Sequence, residues 1–315
     1  MKTLHDMHTH TLFSPCCNDP AATIEAYVAK AAEMGYRALG ISNHLWDVAA
    51  GAPNGWYKGQ SVSFIMQEKN SIPKDLKGVR LYFGAETEYC GMSDTLGITP
   101  DAAQLFDYLQ VPYTHTQFRN FTLALPEEFY EIQRDVAERL KRHFPELTEA
   151  TRRRMAGSLW VDDSYPLFAE KLDFTDYVSK FLTDGFERLL NNLMFQEVSR
   201  RVPVIIAHPF KPLEPREVAI EAMRRIDKEK VYTLCNRAAE MNLAFDINLC
   251  SYLLPENGYS DDPMVEITRI AKEAGVKFAV GTDTHSLKGM ENIERAEAIC
   301  RAVGITDGDW SPLVL

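Results

Sequence analysis

The sequence predicts an α/β protein in which parallel strands are joined by crossover helices, and two observations carry that reading. Short apolar runs, partly β-branched, alternate with helix-period segments along the 315 residues, the order that parallel sheets require. Glycines 35 and 275 each follow a helical pattern where a helix C′ residue belongs, and a strand pattern begins shortly afterwards. The candidate strands are Thr3–Met7, Ala38–Ser42, Val79–Gly84, Tyr108–Val111, Val202–Ala207, Leu243–Ile247 and Phe278–Val280. Between them, Thr23–Met34 repeats Ile24, Tyr27, Val28 and Ala31 at helical spacing, and Met264–Ala274 and Glu291–Val303 read as further helices. Periodicity alone does not choose between a barrel and a doubly wound sheet.

The rhythm breaks between His115 and Arg201. Helical patterns over Glu127–Phe144, Leu147–Ser158 and Tyr165–Asn192 fill that stretch without a strand signal. No Pro/Gly/Ser linker bounds it, so the expectation is one domain over residues 1–315 with a helical insert at about 120–200.

Composition narrows the function. Lys and Arg total 34 against 45 Asp and Glu, a formal charge of -11, which argues against nucleic-acid or anionic-membrane partners because both need clustered cations. The total says nothing against a small anionic substrate. The N-terminus lacks an apolar stretch long enough for a secretory signal, and no run of about 18 apolar residues occurs. Six cysteines are scattered without a CxxC spacing, so reduced thiols and a cytoplasmic location are expected.

The chemistry is carried by the eight histidines, six of which fall just after strand-like runs. His8 and His10 form an HxH after the first run, His44 ends ALGISNH, His115 ends VPYTH and His208 ends VPVIIAH; Asp283 and His285 end VGTDTH, and Glu86 ends YFGAE. In parallel βα architectures the carboxyl ends of the strands share one face, where side chains distant in sequence converge. Residues two apart on an extended segment project the same way, so His8 with His10, and Asp283 with His285, can each grip one ion. Imidazoles with carboxylates suit Zn, Mn or Fe. Eight such side chains exceed the needs of one ion, implying two or three divalent metals with Glu86 as the bridge. A lone HxH or a lone His after a strand is more often structural; the joint pattern over five or six strands is not.

In this order, DMHTH, ISNH, GAE, YTH, AHP and GTDTH resemble the polymerase-and-histidinol-phosphatase (PHP) superfamily of metal-dependent phosphoesterases. The resemblance spans Met1 to His285 and implies a distorted seven-stranded (β/α) barrel, TIM-barrel-like, with a trinuclear site at its C-terminal face. It assigns one metal to His8, His10, Glu86 and Asp283, a second to Glu86, His115 and His208, and a third to His44 and His285. The ninth ligand is the main departure. The family usually places a His or Asp five to seven residues after the HxH, whereas FSPCCND stands here. Cys16 is taken as the substitute because a thiolate suits Zn or Fe, with Cys17 and Asp19 as alternatives. Asn43 stands where many relatives have Asp and is assigned a supporting role.

The resemblance further implies hydrolysis of a small phosphomonoester, histidinol phosphate or a related metabolite, by a metal-bridging hydroxide, with no Ser or Cys nucleophile. Arg119 and Lys211, shortly after His115 and His208, could bind phosphate oxygens, and Asn248 in FDINL matches an Asp-x-Asn stretch of histidinol phosphatases. The arginines expected after the sixth strand are absent from LCSYLLPENGY, which leaves nucleotide and sugar phosphates open. Trp56, Tyr57 and Tyr89 could wall the pocket; Arg152, Arg153 and Arg154 read as a solvated helix face. Two competing readings are a hydrolase of C–N or ester bonds and a noncatalytic metal-binding module.

Overall fold

The computed structural model describes residues 5–119, 121–124 and 174–315, together with positions 138, 141, 142, 145 and 146. The parallel α/β reading holds. Strands β1 (His5–Thr9), β2 (Ala38–Ile41) and β4 (Arg80–Phe83) form one parallel sheet. A second parallel sheet runs in the order β11 (Lys277–Gly281), β10 (Ala244–Asn248), β9 (Val204–Ile206), β8 (Leu109–Val111), β5 (Ala85–Thr87), β3 (His44–Leu45). Strands β6 (Tyr89–Cys90) and β7 (Thr95–Leu96) make a separate antiparallel pair. Most strand residues are buried, as expected where helices cover both faces of a parallel sheet.

The ladders therefore do not form a single ring of seven strands. Two of the expected strands are each followed, after a short break, by a further strand in the other sheet: β2 stops at Ile41 and β3 begins at His44, while β4 stops at Phe83 and β5 begins at Ala85. The breaks re-aim the chain just before His44 and Glu86, and place these two residues side by side in the β3–β5 register. The sheets nonetheless adjoin at the first and last strands, where Asp283 N donates to His8 O at 2.8 Å and His10 N donates to Thr284 O at 2.9 Å. Tyr108 fills the space under the breaks and donates to Met7 O at 2.7 Å. A Cβ on Gly84 would lie 2.4 Å from its ring, so that position needs a residue without a side chain.

Helix α1 (Ile24–Met34) starts at Thr23, whose side chain accepts from Ala26 N, and ends at Gly35 in the left-handed region at φ 78°. Helices α2 (Val62–Glu68) and α3 (Pro100–Ala103) precede the stretch where the expected insert lies. Within that stretch residues 121–124 form a turn with an isolated bridge between Arg119 and Leu123, and the helices α4 (Phe174–Asn191) and α5 (Leu193–Arg201) follow further on. The patterns at Glu127–Phe144 and Leu147–Ser158, the start of Tyr165–Asn192, and Arg152, Arg153 and Arg154 lie outside the described residues, apart from the isolated positions named above. Helices α6 (Arg216–Arg224), α7 (Lys228–Glu240) and α8 (Pro263–Glu273) follow.

The helix expected at Glu291–Val303 is corrected. Leu287–Arg295 is a 3-10 helix, and only α9 (Ala296–Val303) is α-helical. Buried Met290, Ile293 and Ala296 recur every three residues, which matches the three-residue turn of a 3-10 helix. Among the described residues no helix is long and apolar enough to cross a membrane. All six cysteines are free thiols.

Candidate metal centre

The eight His, Glu and Asp side chains expected to converge do so, at the carboxyl ends of the parallel strands. Glu86 lies at the middle and is almost wholly buried. Its Oε2 is 3.4 Å from His8 Nε2, 3.4 Å from His10 Nε2 and 3.2 Å from His44 Nδ1. Its Oε1 faces the other way, 3.5 Å from His208 Nε2 and 3.9 Å from His115 Nε2. Asp283 Oδ1 sits 3.3 Å from His10 Nε2 and 3.6 Å from His8 Nε2.

These atoms fall into three groups with ligand-like spacing: His8, His10 and Asp283; Glu86, His115 and His208; and His10, Cys16, His44 and His285. Tetrahedral coordination at about 2.0–2.1 Å places neighbouring ligand atoms about 3.3 Å apart, close to most of these separations. His10 Nε2, His44 Nδ1 and Glu86 Oε1 are buried without a hydrogen-bond partner. Orphaned lone pairs converging on one another are costly unless something binds them, so the donor set fits divalent cations.

The outer nitrogens of the histidines point to the same arrangement. His8 Nδ1 lies 2.8 Å from Asp246 Oδ2, and His115 Nδ1 meets Glu88 Oε2. His208 Nδ1 is 2.7 Å from Thr114 Oγ1, whose own proton goes to His208 O. His285 Nδ1 is 2.9 Å from the carbonyl of Asp283. Each of these partners accepts, so each ring carries its proton on Nδ1 and leaves Nε2 for the cluster. His44 is reversed and presents Nδ1 to Glu86.

The backbone is bent to achieve this. His208 and Asp283 adopt positive φ, 32° and 54°, a region that costs a non-glycine residue on the order of 1–3 kcal/mol. At Gly281 a Cβ would lie 2.4 Å from His8 Cβ and 2.5 Å from Asp246 Oδ1, so the glycine lets the His8–Asp246 pair close against β11.

Electrostatics follow from burial and crowding. Burial alone would raise Glu86 and Asp283, but the imidazoles around them, His44 and His8 foremost for Glu86 and His8 for Asp283, hold both carboxyls well below the usual range. Burial pulls His208 and His285 down to about 4, which keeps them neutral and able to bind a cation. Burial also lowers His8, but there the charges of Asp283 and Glu86 win and push it well up.

The three candidates for the ninth position lie in different surroundings. Cys16 lies with His10, His44 and His285. Cys17 Sγ instead donates to His285 O at 3.1 Å, and the Asp19 carboxylate accepts from Ala21 N and Leu287 N. Burial first, then the Glu86 and Asp283 carboxylates, push the Cys16 thiol up.

The expected substrate contacts separate. Arg119 is held in a buried bidentate pair with Glu214, at 2.6 and 2.7 Å, over the Phe174 ring at 5.1 Å. Its guanidinium is thus paired within the protein rather than standing free on the loop. Asn248 Nδ2 donates to Asp283 Oδ2 at 3.2 Å, steadying a candidate ligand. The Lys211 amine is lowered by burial, against the opposing charge of Asp283, which is close enough to be felt. Tyr57 donates to Glu88 at 3.0 Å and Tyr89 to Asp94, both buried, whereas half-buried Trp56 meets His44 edge-on at 4.6 Å. The supporting acids Asp246 and Glu88, and Thr114, were not anticipated. For Glu88 the only signal is alternation, two residues after Glu86, whereas Asp246 is the acid of the Asp-x-Asn stretch that ends at Asn248.

No family model matches the chain. Over 103 residues it is 34% identical to a probable phosphatase of Thermoanaerobacter sp. (strain X514), covering 33% of this chain and 36% of that protein. The match thus spans about a third of that relative's length, and a probable phosphatase of Thermoanaerobacter pseudethanolicus matches equally. Over 299 residues it is 23% identical to a probable phosphatase of Shewanella pealeana, covering 95% of this chain and 84% of that protein. Among solved structures, the histidinol phosphate phosphatase of Lactococcus lactis subsp. lactis, complexed with zinc, L-histidinol and phosphate, superposes with a TM-score of 0.54. It is 14% identical and covers 97% of this chain and 95% of that one, a likeness of fold. That fold, together with the similarity to probable phosphatases, bears out the resemblance to the polymerase-and-histidinol-phosphatase superfamily.

Proposed function

We propose that the chain is a metal-dependent phosphoesterase that hydrolyses a small phosphomonoester, with histidinol phosphate one substrate to test among related metabolites. The observation that carries the reading is Glu86, whose two carboxylate oxygens face two different sets of imidazoles. A buried carboxylate so placed is suited to bridge two cations. On this reading His8, His10, Glu86 and Asp283 hold one ion and Glu86, His115 and His208 a second. His44, His285 and Cys16 hold a third, with His10 Nε2 between the first and third sets. When bound, such ions activate water near neutral pH and neutralise the charge on phosphoryl oxygens.

The protein's own residues do the rest. Asp246, Glu88 and Thr114 fix ring orientation and tautomer for His8, His115 and His208. Lys211 supplies a cation for a phosphate oxygen, and Asn248 keeps Asp283 in place. Low-polarity walls around Trp56 and Phe118 keep bulk water from the His44 side.

The test is elemental analysis of protein purified without chelator, followed by a phosphate-release screen over a panel of monoesters that includes histidinol phosphate, nucleotides and sugar phosphates. Bound divalent metal and phosphate release from at least one monoester are expected. Metal without release from any of them would overturn the phosphoesterase reading. His208→Ala retaining full turnover would overturn the assigned site.

A further inference from the structure

Five histidines of the centre present Nε2, and for four of them the outer partner is a carboxylate, a backbone carbonyl or a threonine hydroxyl committed to a carbonyl. His10 differs. Its Nδ1 lies 3.1 Å from Ser14 Oγ, a hydroxyl that could either donate or accept. The surrounding bonds settle which. Ser14 Oγ is 2.9 Å from Asn43 Oδ1, an atom that can only accept, so the single hydroxyl proton goes there. Ser14 Oγ already accepts from His44 N at 3.0 Å, and toward His10 it can only accept again. His10 therefore carries its proton on Nδ1.

The polarity of that chain depends on which way the Asn43 amide faces. Its Oδ1 accepts from Thr11 N at 2.8 Å, and its Nδ2 donates to Thr11 Oγ1 at 2.8 Å and to Glu68 Oε2 at 2.5 Å. The other Glu68 oxygen accepts from Thr11 Oγ1. Glu68 ends helix α2 and is buried, and no salt bridge to it occurs among the described residues. A buried carboxylate without a cation is costly, and this one spends its acceptor oxygens on orienting Asn43 and Thr11.

We propose that Glu68, acting through Asn43 and Ser14, is a positioning residue that selects the Nδ1–H form of His10 and leaves its Nε2 free to bind a cation. The proposal rests on the metal reading above only for its consequence; the tautomer itself is a property of the protein without metal. It predicts that His10, the ligand shared between two groups of the centre, is governed by a residue on a helix with no ligand of its own.

The experiment compares wild type with Ser14→Ala, Glu68→Leu and Glu68→Gln. Histidine nitrogen NMR of metal-free protein, at a pH well above the imidazole range, reports which ring nitrogen of His10 bears hydrogen. Zinc affinity by chelator competition reports the consequence. Wild type should show Nδ1–H alone. Ser14→Ala and Glu68→Leu should mix the tautomers and weaken the loosest zinc by about 10–100-fold, the usual effect of losing an outer-shell partner. Glu68→Gln, which keeps an acceptor for Asn43 Nδ2, should restore the single tautomer. If Glu68→Leu misfolds, Ser14→Ala and Glu68→Gln still decide the matter. Wild-type tautomer and zinc affinity in Ser14→Ala would overturn the proposal. A wild type that binds no zinc would contradict the metal reading alone, because the tautomer comparison would still stand or fall by itself.

Discussion

The two halves of the centre are built differently. On one side, His8, His115 and His208 are backed by Asp246, Glu88 and Thr114, side chains on or at the ends of strands β10, β5 and β8. On the other, His10, His44, His285 and Cys16 depend on the 11–19 loop, a serine hydroxyl and a backbone carbonyl. Two of the three strand-side partners, Asp246 and Glu88, are carboxylates that make charge-assisted bonds, whereas no carboxylate backs the histidines on the loop side, where a hydroxyl and a carbonyl make weaker, neutral bonds. The account therefore predicts a tightly held pair of ions around Glu86 and a third that is weaker and more easily lost.

The largest effect should come from the residue common to both sides. Glu86→Gln removes the bridging charge, and turnover should fall about a thousandfold or more, equivalent to about 4 kcal/mol. Retention of two ions by that variant would break the bridging role.

Next in size is a pH effect confined to the loop side. Burial raises Glu68 from 4.5 to about 7, against the bonds from Thr11 and Asn43 that lower it. The folded protein then binds this proton more tightly than the unfolded chain. Its contribution to stability is fully present below about 4.5 and is lost as pH rises through about 7. The loss is on the order of 3 kcal/mol at 1.36 kcal/mol per pH unit. Chemical denaturation across that range should show the decline in wild type and a flatter profile in Glu68→Gln. Equal slopes would mean that Glu68 does not titrate with folding.

On the strand side, Glu88→Gln should weaken the ion at Glu86, His115 and His208 by about 10–100-fold in chelator titration, leaving the loop-side ion unchanged. Gly281→Ala would force a Cβ against His8 and Asp246 and should destabilise the fold by about 1–3 kcal/mol, read as a lowered melting temperature. The smallest change is expected from Cys16→Ala, which should release only the third ion, seen as one fewer equivalent by elemental analysis. Unchanged stoichiometry there would remove the thiolate from the ligand set.

The same contrast governs what could be seen in the chain before folding. His8, His10, Asp283 and His285 were legible because residues two apart on a strand share a face, and Glu86 and His44 because apolar runs lead straight into them. The breaks at Ser42–Asn43 and at Gly84 were not, since an interruption of one or two residues leaves the apolar pattern intact. Cys16 and Cys17 are equivalent by spacing and Asp19 lies just beyond them; only the fold of the loop turns Cys16 inward and ties the other two to His285 O and Leu287 N. Arg119 reads as a loop cation beside a ligand, and its burial against Glu214, 95 residues away, has no local signature. Glu68 is hidden for the same reason, being an ordinary helix-end acid until Asn43 and Thr11 meet it.

Zinc-edge anomalous diffraction from crystals grown with zinc tests the central claim most directly. The account predicts one strong peak on the Oε2 side of Glu86 among His8, His10 and Asp283, and another on its Oε1 side between His115 and His208. A weaker peak is expected by His44, Cys16 and His285. Folded protein with no peak within bonding distance of Glu86 would contradict it.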